Sequence, residues 1–142
     1  MEFVIALASK PGQSSLRFLS YAIAGFIDGI REAIDMVRMQ QLKVAWINYV
    51  HERFAALPDT KASDRQRSLV PAMPMGSNVP RSDLQGLTPK IAKMYAGAGL
   101  RVLSRGLNQL ISRGLTRRSG REYRARSEAV EAFLPPIAPV DE

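Results

Sequence analysis

Apolar residues recur at steps of mostly three and four from Leu16 to Phe54, through Leu19, Ile23, Phe26, Ile30, Ile34, Val37, Val44, Ile47 and Val50. That period is helical and predicts one long amphipathic helix over residues 15–57, with Gly25 and Gly29 as the places for a kink. Gln41 falls once where the pattern leads to an apolar side chain. On the polar side Asp28, Arg31, Asp35 and Arg38 alternate in sign at helical spacing, each pair contributing about 0.2–0.5 kcal/mol. Forty helical residues span ~60 Å, and a stripe of that length is more than a small neighbouring domain can cover. The pattern therefore predicts that the helix pairs, either with a second copy in a homodimer or with a partner protein. Residues 1–14, an apolar start followed by Ser9-Lys10-Pro11-Gly12-Gln13-Ser14, read as a loose leading segment.

Beyond the long helix the pattern breaks into short elements, and residues 58–134 read as one domain. Residues 57–62 form a linker, and Ser63-Asp64 caps a short helix that runs to Val70 and is stopped by Pro71 and Pro74. After a loop at residues 73–80, Val79, Leu84 and Leu87 supply a short strand. Thr88-Pro89 is a capping residue with proline at the first helical position, which predicts a helix over residues 90–96. Gly97-Ala98-Gly99 is a turn. A second helix over residues 101–113 places Leu103, Leu107, Leu110 and Ile111 on one face, and Gly114 ends it as a left-handed residue. Gly106 inside this helix implies a close approach to another helix or to a DNA backbone. Two extended pieces follow, residues 115–118 and 121–124, joined by Ser119-Gly120 as a hairpin turn. Ser127-Glu128 opens a last helical turn with Val130, Phe133 and Leu134 facing inward, and residues 135–142 are a proline-rich loose tail.

Helix, turn, helix and basic hairpin are the layout of a winged helix-turn-helix. The predicted fold is thus mainly α: a long N-terminal helix followed by a winged helix-turn-helix domain with a small β-hairpin wing. In that layout the second helix lies in the major groove of double-stranded DNA. Its outward residues are Arg101, Ser104, Arg105, Asn108 and Ser112, the side-chain types that reach guanine, adenine and phosphate. The hairpin adds Arg117, Arg118, Arg121 and Arg124 for the backbone or an adjacent groove. Charge agrees with this assignment. The chain carries +7 overall, but residues 81–126 carry +9 and the remainder −2. An excess confined to one region is the footprint of phosphate neutralisation. The chain reads as a regulatory module in transcription, with a protein-interaction module, the long helix its active surface and the basic region a solvated face, as the competing reading.

Composition narrows the remaining chemistry. The chain has no cysteine and one histidine, so neither a disulfide framework nor a metal site is expected, and no cofactor motif is present. The longest apolar run, residues 18–27, is about half the length of a membrane span. No basic leader precedes it, which predicts a cytoplasmic chain with no membrane partner. His51, on the long helix, reads as a surface residue rather than a general base. Trp46 and Tyr49 read as packing residues with polar tips.

Two phrases, Phe26-Ile27-Asp28-Gly29-Ile30-Arg31-Glu32 through Trp46-Ile47-Asn48-Tyr49-Val50-His51, and Ser104-Arg105-Gly106-Leu107-Asn108-Gln109-Leu110 through Gly114-Leu115, give the chain its resemblance. From residue 18 to 134 it resembles the C-terminal part of Fic-family proteins. In many of these a catalytic helical domain is followed by a long helix and a winged-helix module. The family transfers AMP or a related group with a histidine inside H-x-F-x-[DE]-G-N-[GK]-R. Here His51 is followed by Glu-Arg-Phe-Ala-Ala-Leu, and no glycine-rich loop is spaced to cradle a phosphate. The resemblance therefore implies a non-catalytic module, either standing alone or completing a separately encoded Fic-type AMP-transferase.

Overall fold

The computed structural model describes residues 11–136. Contacts divide the chain into two compact units, Met1–Gln40 and Gln41–Glu142. Helix α1 (Pro11–Ala55) begins in the first and ends in the second. Residues 11–14, expected in the loose leading segment, are helical, because a proline loses nothing at a first helical position. The rest of that segment, residues 1–10, lies outside the described residues. The helix continues through Gly25 and Gly29, where a kink was expected. Each glycine costs ~1 kcal/mol against alanine, which a cooperative helix of this length absorbs.

In the first unit the apolar stripe is exposed among the described residues. From residue 12 to 40 every side chain is exposed except Ser14 and Arg38, which are half-buried. The exposed set includes Phe26 at 70% and Val37 at 56%.

The second unit is built around one apolar core. The last part of α1 contributes Trp46, Val50 and Phe54, three residues at i, i+4 and i+8 that are all buried. Val44, which the sequence stripe includes, is 57% exposed, and Ile47 is half-buried. The side of the helix that packs carries Trp46 together with the last two members of the stripe, Val50 and Phe54. The break between units accordingly falls inside α1 rather than at its end.

Helix α2 (Lys61–Ala72) is capped by Thr60, whose Oγ1 accepts the Ser63 N–H at 3.1 Å, so Ser63-Asp64 lies inside the helix rather than capping it. Pro71 sits in its last turn instead of ending it. A proline there removes one N–H, and the Met73 N–H closes the helix onto the Leu69 and Val70 carbonyls. Strand β1 (Val79–Pro80) and helix α3 (Arg81–Leu84) follow. The expected strand is thus only two residues long: Leu84 is buried from α3 and Leu87 lies in the turn beyond it.

Helix α4 (Pro89–Tyr95) starts as expected, with Thr88 Oγ1 accepting the Ile91 N–H at 3.1 Å. Helix α5 (Leu100–Ser112) buries Leu103, Leu107 and Leu110. Gly114, at φ +73°, takes the left-handed conformation that follows a helix end. Strands β2 (Thr116–Ser119) and β3 (Glu122–Ala125) pair antiparallel, with Ser119 opposite Glu122. The two-residue turn is therefore Gly120-Arg121, one position later than Ser119-Gly120. Glycine at the first loop position, φ +62°, supplies the positive φ that a II′ hairpin needs there. Strand β1 pairs with the other edge of β3, giving a three-stranded antiparallel sheet in the order β1-β3-β2. Helix α6 (Glu128–Glu131) turns Val130 into the core. It is too short to carry the helical spacing further, so Leu134 is half-buried and Phe133, expected inside, is 82% exposed.

Candidate nucleic-acid interface

Amphipathicity fixes which residues of α5 face out. With Leu103, Leu107 and Leu110 buried, Arg101, Arg105, Asn108 and Ser112 fall on the opposite side, and all four are exposed. They line an open groove of about 740 Å³ together with Leu100, Ser104 and Gln109, and with Arg81 and Arg113. Four arginines and no carboxylate make up its charged lining.

Ser104 is placed differently from its neighbours. Its hydroxyl donates to the Leu100 carbonyl at 2.9 Å and accepts from the Arg81 guanidinium, and the residue is half-buried. Its proton and one of its two acceptor sites are taken inside the protein. Ser112 likewise donates to the Asn108 carbonyl at 3.1 Å, but its oxygen stays exposed and able to accept.

Arg81 is the residue the sequence reading missed. Its guanidinium reaches Leu100 O at 3.3 Å as well as Ser104 Oγ, and its backbone N–H donates to the Arg121 carbonyl at 3.2 Å. One residue therefore ties the first turn of α5 to the tip of the hairpin. The local sequence, Pro80-Arg81-Ser82, carries no signal for that role, which depends on β1 pairing beside β3.

Arg113 and Gln109 also went unassigned. Gln66 of α2 is buried, donates from Nε2 to Gln109 Oε1 at 2.5 Å and accepts from Arg113. The Arg113 guanidinium also stands 5.3 Å from the centroid of Phe54. A cation on an aromatic face and a buried amide is held in place, so Arg113 fixes the end of α5 more than it offers a free charge.

On the hairpin Arg117, Arg118 and Arg121 are exposed and Arg124 is half-buried. Arg118 Nε donates to the Gly120 carbonyl at 2.8 Å, which orders the turn. Arg117 stands directly opposite Arg124 in the ladder. Like charges across a strand pair repel, and Glu128 stands 3.9 Å from Arg117 and from Arg126. Pairs at that distance and exposure contribute little. An anion laid along this strand pair would relieve the repulsion.

Other candidates carry less chemistry. His51 is exposed, and no group of three or more metal-ligating side chains occurs among the described residues. Trp46 stacks on Tyr49 with ring centroids 5.8 Å apart, and Arg53 caps the Tyr49 ring at 5.0 Å. These are packing contacts, as expected. No helix among the described residues is long and apolar enough to cross a membrane. Comparison with protein families, with curated proteins and with solved structures finds no match to the chain.

Proposed function

We propose that the unit Gln41–Glu142 is a DNA-binding regulatory module of the winged helix-turn-helix type. Helices α4 and α5 are then the helix pair, α5 the element that enters the major groove, and the β2–β3 hairpin the wing. One observation carries the reading: α5 turns Arg101, Arg105, Asn108 and Ser112 to a single exposed face, in a groove whose charged lining is arginine alone. Arginine pairs bidentately with guanine and asparagine with adenine, so this face holds groups for base edges as well as phosphates. The opposed Arg117 and Arg124 support a backbone contact by the hairpin. Ser104, held by Arg81, positions α5 in this scheme and does not read bases.

Titrating a generic duplex at several salt concentrations tests the reading. With at least four phosphates contacted, log Kd against log salt should have a slope magnitude of roughly 3 to 4. Removing one contacting arginine, as in Arg105→Ala, should lower that magnitude by about 1. Affinity that ignores salt would end the proposal and leave the basic face as a solvated surface.

A further inference from the structure

We propose that the exposed apolar face of the unit Met1–Gln40 pairs with the same face of a second copy of the chain, parallel and in register, as a two-stranded coiled coil. Leu16, Ile23, Ile30 and Val37 stand seven residues apart, and Val44 continues the line. All five are between 43% and 66% exposed. A straight α-helix drifts by about 20° over seven residues, and a left-handed supercoil removes the drift. A seven-residue line is therefore a seam for another helix. Four of its five members are β-branched, the residue type that favours two parallel strands at the first core position of a heptad.

The flanks extend the seam. Leu19 and Phe26 lie on one side of the line and Ile27 and Ile34 on the other, again 42–70% exposed. Line and flanks from residue 16 to 37 hold eight apolar side chains. At roughly 60–120 Å² apiece, two such faces bury about 1,000–1,900 Å². Stable specific interfaces need about 1,200–2,000 Å².

Charge selects the occupant. The six charged residues from 12 to 40 are Arg17, Asp28, Arg31, Glu32, Asp35 and Arg38, and at 100° per residue all fall off this face. The face offers nothing to choose a charged partner and nothing to repel its own copy. Register follows from Gln40, the polar end of the row Leu19, Phe26, Ala33 and Gln40 beside the line. In parallel pairing Gln40 meets the other Gln40, amide to amide; in antiparallel pairing it meets the apolar start of the stripe.

Sedimentation of the full chain at tens of micromolar tests the proposal without reference to DNA. A dimer mass is expected, and Ile23→Glu combined with Ile30→Glu should return a monomer. Trp46, the sole tryptophan, is buried in the other unit, so unchanged fluorescence shows that the fold survives. The chain has no cysteine, so Ile23→Cys gives a clean crosslinking probe. Oxidation should join Ile23→Cys chains across a parallel seam and leave Asp28→Cys chains, on the opposite side, unjoined. A monomeric unmutated chain overturns the proposal and assigns the face to a different polypeptide, one of the two arrangements that the Fic resemblance implies. A monomer that gains affinity for zwitterionic lipid vesicles overturns it in favour of a bilayer surface. A trimer or tetramer, or a dimer that fails to crosslink through Ile23→Cys, overturns the two-stranded parallel form.

Discussion

Gly106 and Gly114 bracket the second half of α5 and obey opposite rules. A Cβ on Gly106 would meet only Gln66 Cγ at 3.7 Å and Nε2 at 3.8 Å, ordinary contact distances. Among the described residues nothing approaches closely enough to require a glycine there. Gly106→Ala is expected to raise stability by roughly 0.5–1 kcal/mol, read as a higher denaturant midpoint at unchanged slope. Gly114, at φ +73°, should respond the other way, with Gly114→Ala losing about 1–2 kcal/mol in the same assay. A fall in midpoint for Gly106→Ala would show that Gln66, fixed by Gln109 and Arg113, has no room to give. Tyr95 supplies a titration. Burial pushes its hydroxyl above the ordinary 10.0, and the nearby Arg65 guanidinium pulls partly back. The folded chain then holds the proton longer than the unfolded one. Its contribution to stability is complete below pH 10 and is lost as pH rises toward the folded value. Tyr95→Phe should flatten the alkaline limb of midpoint against pH; identical limbs in both proteins would refute this.

At the scale of elements, the legible parts were those whose ends carry local chemistry. Thr88-Pro89 marks the start of α4 and Gly114 the end of α5, and both hold in three dimensions. The outward face of α5 followed from its buried leucines. Harder to read were places where two local solutions compete. Thr60 and Ser63 can both cap a helix, and the linker lets the chain use the earlier one. Ser119-Gly120 and Gly120-Arg121 are both acceptable turns, and pairing of Ser119 with Glu122 settles the later. Ser104 has the same composition signal as Ser112, but only Ser104 lies within reach of Arg81. In α1 the regular stripe concealed a change of packing side near its end, where Trp46 joins Val50 and Phe54 in the core while Val44 stays exposed. That side is the one with structural weight in the C-terminal unit. Trp46→Ala should cost about 3–5 kcal/mol in thermal or denaturant unfolding. A cost under about 1 kcal/mol, the range of surface changes, would show that the helix end packs only loosely.

Across the whole molecule, charge and apolar surface are segregated. Basic excess is confined to residues 81–126, whereas the large exposed apolar residues gather from Leu16 to Val44, with Leu100 and Phe133 apart. Because the phrase after His51 departs from the Fic motif, incubation of the chain with labelled ATP and candidate target proteins is expected to transfer no label; label that disappears in His51→Ala would reverse that view. The buried apolar side chains of the described residues all lie between Trp46 and Val130, past the point where α1 enters the second unit. Continuous helical backbone runs through residues 40 and 41. That makes the position a splice point at which the upstream sequence can be exchanged for a foreign helix without opening the basic unit's core.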